Sequence, residues 1–222
     1  MKLLLTSAGL RNETLRQALR DLLGRPFASA KVVYVLTASV AQPGDHGWFV
    51  ADLNRVYDLG WGEFDVLDLG ALPRSMVLDR LRHADVVYVS GGNHYHLARG
   101  IAGNDLAGGL LEALRDRVYV GVSAGSMIFS RNLDERSAEV IGDAADLHVL
   151  GATALEPPLG LFDWYLKPHL YSPNFPERGD AWADRIAARA QFPLYFIDDE
   201  TALRVDGDAV DVVSEGRWRF HP

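Results

Sequence analysis

The amino-acid sequence predicts an α/β protein with a mostly parallel sheet covered by helices on both faces. Two observations carry that expectation. Over the first 130 residues the strand candidates are continuous apolar runs, such as KVVYVL at 31–36 and DVVYVS at 85–90, the pattern of strands buried on both sides. The segments that alternate with them carry apolar residues at helical spacing, so strand and helix follow one another as in a parallel α/β sheet.

The elements follow in order. Lys2–Thr6 is a short apolar strand, and Asn12–Leu23 is a helix whose Leu15, Leu19, Leu22 and Leu23 share one face. Lys31–Leu36 is the second strand. Gly47–Leu59 is a helix presenting Phe49, Val50, Leu53, Val56 and Tyr57. Glu63–Leu69 is a third strand, Ser75–Leu81 a short helix with Ser75 as its cap, and Asp85–Ser90 a fourth strand. Leu106–Leu114 is helical, and Val118–Val122 is the fifth strand. After about residue 130 the pattern changes: Arg131–Gly160 is less periodic and rich in acidic and small residues. Leu161–Leu166 reads as a strand, Asp180–Ala190 as a helix, and Leu194–Ile197, Thr201–Val205 and Ala209–Val213 as strands. The last two form a hairpin through Asp206-Gly207. No repeat, low-complexity linker or domain boundary emerges, so one domain over residues 1–222 is expected.

Composition bounds the function. The 222 residues are 48% hydrophobic, enough to bury a full core. A formal charge of −8, without a basic block, argues against nucleic acid as a partner. The absence of cysteine excludes disulfides, thiolate nucleophiles and zinc–thiolate sites. The opening MKLLLTSAGL is too short for a signal-peptide core, and no apolar stretch approaches the roughly 18–20 residues of a membrane helix. A cytoplasmic protein without a membrane partner is expected.

The stretch VGVSAGS at 120–126 contains the pattern G-x-S-x-G between a strand and a helical start. A sharp turn there places Ser123 at the C-terminal end of the strand, and the Ala124 amide points outward. The same pentapeptide also suits a plain tight corner. Catalysis needs a base, an orienting acid and a second donor to an oxyanion. Of seven histidines, His169 in Lys167-Pro168-His169 lies at a predicted strand end. His94 and His96 form an H-x-H pair without a carboxylate set to complete a metal site. The acid comes from Asp198-Asp199-Glu200, directly after a strand, with Glu135, Glu139, Asp143 and Asp146 as competitors. The two glycines of Gly91-Gly92 at another strand end suit an oxyanion donor, or a tight turn.

Taken in order, VSGGN (89–93), GVSAGSM (121–127), GLFDWYLKPHL (160–170) and IDDETALRV (197–205) resemble the peptidase E family, which includes aspartyl dipeptidases and cyanophycinases. The resemblance runs from the first strand to about Val213. It implies a three-layer α/β/α sandwich similar to class I glutamine amidotransferases, with a serine nucleophile. By that resemblance Ser123 is the nucleophile, His169 the general base and Asp199 the third member, while the Gly92 and Ala124 amides form the oxyanion hole. It also implies a serine exopeptidase of short peptides, an Asp-X dipeptidase or a carboxypeptidase, that uses no cofactor and no metal. A hydrolase of β-aspartyl or cyanophycin-type bonds, and a non-catalytic binding module, are the alternatives. Arg178 and Arg131 are the candidate cations for an aspartyl side chain. A homodimer is left open. The segments 131–160 and 171–176 are expected to fold over the strand ends and close the site.

Overall fold

A computed structural model describes residues 1–151 and 156–222. Every apolar run of the first half forms a strand: β1 (Lys2–Thr6), β2 (Lys31–Val35), β3 (Glu63–Leu67), β4 (Val86–Val89) and β5 (Val118–Val122). Between β1 and β5 lie α1 (Glu13–Leu23), α2 (Gly47–Tyr57), α3 (Arg74–His83), α4 (His94–Gly103) and α5 (Ala107–Ala113). The five strands are parallel, in the order β3-β2-β4-β5-β1. Their side chains alternate between two cores. Leu4, Tyr34, Tyr88 and Val120 pack with Leu15, Leu19 and Leu22 of α1 and Val56 of α2. Leu3, Val33, Val87 and Tyr119 pack with Val77 and Leu81 of α3, Ile101 of α4 and Leu110 of α5. The continuous apolar runs thus reflect burial on both faces.

After β5 come α6 (Ala124–Met127), α7 (Glu135–Ile141), α8 (Ala144–His148), β6 (Tyr165–Lys167), α9 (Asp180–Ala187), β7 (Leu194–Ile197), β8 (Thr201–Asp206), β9 (Ala209–Ser214) and β10 (Trp218–His221). The hairpin β8–β9 adds to the large sheet, with β8 antiparallel to β1. Strands β6 and β7 are parallel and form a separate three-stranded sheet with β10. This sheet has its own core, in which Tyr165 and Phe196 meet Met127, Ile141, Ala183 and Ile186.

Several elements differ from the sequence expectation. Helix α3 begins at Arg74 after Pro73 with no side-chain cap, so Ser75 lies inside it. The 161–166 run becomes a strand only from Tyr165, because Phe162 is used in an isolated bridge to Ser130. Helices α7 and α8 and strand β10 go beyond the sequence expectation, and the loop or helix start after Gly91-Gly92 proves to be helix α4. Helix α7 has a sequence signature: Asp134 caps Ser137 N–H, and Gly142 ends the helix at φ +80°. Residues 152–155 of the less periodic segment lie outside the described residues.

Candidate active site

The G-x-S-x-G turn is fixed by close backbone approach. A Cβ at Gly121 would stand 2.6 Å from Gly125 O, and one at Gly125 would stand 2.5 Å from Val89 O. Larger residues at either place would push β5, α6 and β4 apart. Ser123 between them adopts φ +45°, ψ −102°, a conformation that costs a non-glycine residue about 1–3 kcal/mol. The surrounding bonds hold it there. Ser123 N–H donates to Thr6 O at 3.0 Å, and Tyr119 Oη donates to Gly125 O at 2.6 Å. The turn leaves the Ser123 side chain partly exposed at the C-terminal end of β5, where open α/β sheets bind ligands.

The loop after β4 closes on the same point. Gly92 has φ +130°, and a Cβ there would lie 2.2 Å from Ala38 O, so the position requires glycine. The Asn93 amide donates to Ala38 O at 2.9 Å, and the Asn93 side chain caps α4 and donates to Asp146 O at 2.8 Å. Among the described residues, neither the Gly92 nor the Ala124 amide donates to a protein acceptor. A Cβ at Gly91 would lie 3.6 Å from both Ser123 Cβ and Trp48 Cζ3, so Gly91 lies between the serine turn and the exposed indole of Trp48.

The small sheet supplies the remaining groups. His169 follows β6 and Asp199 follows β7, and the parallel pairing of these strands brings both to one end. His169 Nε2 lies 3.0 Å from Ser123 Oγ, and His169 Nδ1 lies 2.7 Å from Asp199 Oδ1. The structure therefore brings Ser123, His169 and Asp199 into one relay. Both oxygens of Asp199 carry a further donor: Ser7 Oγ to Oδ1 at 2.9 Å and Ser172 Oγ to Oδ2 at 2.6 Å. Burial pushes the Asp199 carboxyl up, but the hydrogen bond and charge of His169 and the two hydroxyls outweigh it and hold the group at about 2. Burial holds the His169 imidazole below its usual 6.5. Asp199 opposes that shift, and the charges of Arg178 and Lys167 add to it. At neutral pH the pair is a neutral imidazole beside a carboxylate, with Nε2 free to accept a proton from the serine.

The competing acids are used elsewhere. Asp198 Oδ1 accepts from Glu200 N and Thr201 Oγ1, and its Oδ2 accepts from Arg217 N, which shapes the turn into β8. Glu200 accepts from Asn12 at 3.0 Å. Glu135 and Glu139 are exposed on α7. Asp143 forms a buried ion pair with Lys167 at 2.5 Å, which ties the segment between α7 and α8 to β6. His94 is buried 3.4 Å from Tyr165 Oη, and burial lowers its pKa to about 4. Among the described residues, no group of three or more His, Cys, Asp or Glu is arranged to hold a metal, and no helix is long and apolar enough to cross a membrane. Arg131 pairs with Asp163 at 2.6 Å. Arg178 lies 4.0 Å over the Phe175 ring, which in turn stacks on His169 with centroids 4.8 Å apart.

Sequence reading missed Ser7 and Ser172. Ser7 had a signal, since it directly follows an apolar strand at the sheet end where the other groups gather. Ser172 had none, because its contact with Asp199 depends on the path of the loop after β6.

Known proteins resemble this chain in sequence and in fold. The chain is 27% identical over 180 residues to "Uncharacterized peptidase PM1590" of Pasteurella multocida, covering 80% of this chain and 82% of that one. It is 28% identical over 211 residues to "Probable alpha-aspartyl dipeptidase" of Drosophila melanogaster, covering 93% and 83%. The fold matches the crystal structure of a "Putative Peptidase E Protein" from Listeria monocytogenes EGD-e with a TM-score of 0.78 at 21% identity, covering 97% of this chain and 98% of that one. The mostly parallel sheet between two helical layers is thus the fold of that structure. The model of Peptidase family S51 matches residues 3–213, nearly the whole chain. The chain belongs to peptidase family S51 and is a serine-type peptidase.

Proposed function

We propose that the protein is a serine exopeptidase of short peptides, dipeptides foremost, acting through an acyl-enzyme with Ser123 as nucleophile, His169 as general base and Asp199 as the acid that orients the base. The observation that carries this reading is the continuous relay Ser123 Oγ–His169 Nε2 at 3.0 Å and His169 Nδ1–Asp199 Oδ1 at 2.7 Å. His169 takes the hydroxyl proton as Ser123 Oγ attacks the scissile carbonyl. The Gly92 and Ala124 amides receive the oxyanion. The imidazolium then protonates the departing amine. A water molecule, deprotonated by the same imidazole, cleaves the ester and returns Ser123.

Two features support the restriction to short peptides. Phe175 stacks on His169 with Arg178 above it, which walls the His169 side of the site. Helix α8 is tied to the loop of Gly92 through Asn93 and Asp146. Aspartyl dipeptides head the substrate list, because the Drosophila relative carries that name and Arg178 is a mostly buried cation beside the base. The test is a library of dipeptides and tripeptides with free or blocked ends, alongside a ten-residue peptide blocked at both ends. Cleavage is expected for free-ended dipeptides and absent for the blocked decamer. Internal cuts in the decamer at a dipeptide-like rate would refute the exopeptidase reading.

A further inference from the structure

The nucleophile and its base stand on different sheets. Ser123 ends β5 of the seven-stranded sheet, whereas His169 and Asp199 end β6 and β7 of the three-stranded one. Such a site works only if the two sheets are held in register to a fraction of an ångström, because proton transfer needs hydrogen-bond contact.

One buried hydroxyl spans the junction. Ser7 follows β1, whose last residue Thr6 pairs with Val122 and accepts the Ser123 amide at 3.0 Å. Ser7 is therefore level with the nucleophile on the adjacent strand. Its Oγ accepts the His169 backbone N–H at 2.9 Å and donates to Asp199 Oδ1 at 2.9 Å. That carboxylate oxygen also receives His169 Nδ1. A serine hydroxyl has one proton to give and lone pairs to receive, so both bonds are satisfied together. The residue is fully buried, and its amide donates to Thr201 O at 3.3 Å.

The tie acts on a residue in an uncommon backbone conformation. His169 has φ +68° and Tyr171 has φ +56°, positive values that a few per cent of non-glycine residues adopt, His more readily than Tyr. Backbone bonds from Leu170 N–H to Ile197 O and from Tyr171 N–H to Arg178 O hold this loop to its own side, and Ser7 grips its first residue from the opposite sheet.

We propose that Ser7 is a positioning residue for the general base: its hydroxyl registers the His169–Asp199 pair of the small sheet against Ser123 of the large one. The proposal rests on the assignment of Ser123, His169 and Asp199 made above. Ser7 acts through Asp199 and the His169 backbone, so its loss slows the chemical step and leaves substrate affinity alone.

The test uses the full-length protein with a fluorophosphonate probe and a dipeptide substrate. Ser7→Ala removes the hydroxyl. Ser7→Cys leaves no cavity, its sulfur being somewhat larger than the oxygen, and offers only a weak donor and acceptor, so it decides the matter if Ser7→Ala fails to fold. In each folded variant the labelling rate of Ser123 and kcat are expected to fall at least about tenfold, the scale of one hydrogen bond to a charged group, with KM unchanged. The far-downfield proton resonance of the His169–Asp199 bond is expected to move or broaden, a signal that a loss of overall stability would not shift. Ser7→Cys labelling within about twofold of the parent, with the resonance unmoved, overturns the proposal. A parent protein that labels no better than its Ser123→Ala variant sinks the nucleophile assignment itself, and Ser7 with it.

Discussion

The large and the small sheet build their halves of the site by different means. On the large sheet, Ser123, Gly92 and Ala124 are placed chiefly by backbone, where glycines let strands, turns and loops approach to distances that exclude a Cβ. Tyr119 and Asn93 brace the turns from outside. On the small sheet, His169 and Asp199 are placed by side-chain hydrogen bonds from Ser7, Ser172 and each other. A half fixed by backbone fails when a methyl group is added. A half fixed by side chains loosens by degrees as hydroxyls are removed.

The largest effect that tests this contrast comes from the reacting groups. Ser123→Ala is expected to stay folded and lose roughly 10⁴–10⁶-fold in kcat, with His169→Ala comparable. Steady-state hydrolysis by a pure sample checks this, and activity above a tenth of the parent contradicts it. Asp199→Ala is expected to cost about 10²–10⁴-fold, because the acid orients the base and does not react. Asp198→Ala and Glu200→Ala should cost less, since their carboxylates serve the turn and α1. A collapse for Glu139→Ala with Asp199→Ala near the parent rate would move the acid to α7.

Gly92→Ala breaks the backbone-built half. The added methyl meets Ala38 O at 2.2 Å, so the loop must shift and carry its amide away from the oxyanion, at a cost of about 10²–10³-fold in kcat. The fluorophosphonate rate, set against a thermal melt, separates that loss from unfolding.

The smallest effect lies in the pH profile. His169 works as a neutral base, so kcat/KM falls as pH drops through its pKa. Burial lowers that pKa, so the midpoint of the acid limb is expected below 6.5. Arg178→Gln removes a charge that also lowers it, so the limb should move upward. A midpoint above 6.5 in the parent would show that the Asp199 carboxylate outweighs the burial of the ring.

How legible each half was follows from the same contrast. The parallel strands could be read because burial on both faces leaves continuous apolar runs, as in Val118–Val122. The serine turn and the Gly92 loop could be read because close backbone approach selects glycine at fixed positions. The separate small sheet could not, because the three residues of β6 are too few for a periodic pattern. Helix α4 was legible only as a loop or helix start after Gly91-Gly92, and the Asn93 cap decides for the helix. Asp199 stood between two other acids, and nothing in the residue types told them apart. Its position rests on which carboxylate faces Ser7, Ser172 and His169 once the chain has folded.

The link between β7 and β8 consists of Asp198, Asp199 and Glu200 alone, so the acid that orients the base lies on one of the short covalent links between the two sheets, the other being residues 215–217 between β9 and β10. For protein engineering this divides the surface sharply. The exposed Gly207-Asp208 turn at the far end of β8 is a natural place to graft a tag or open a new terminus, since loop tips with small polar residues tolerate both. The three-residue bridge offers no such freedom. One inserted residue there would re-aim Asp199 while the β9–β10 link still holds the sheets together, so this short stretch of chain serves catalysis and architecture at once.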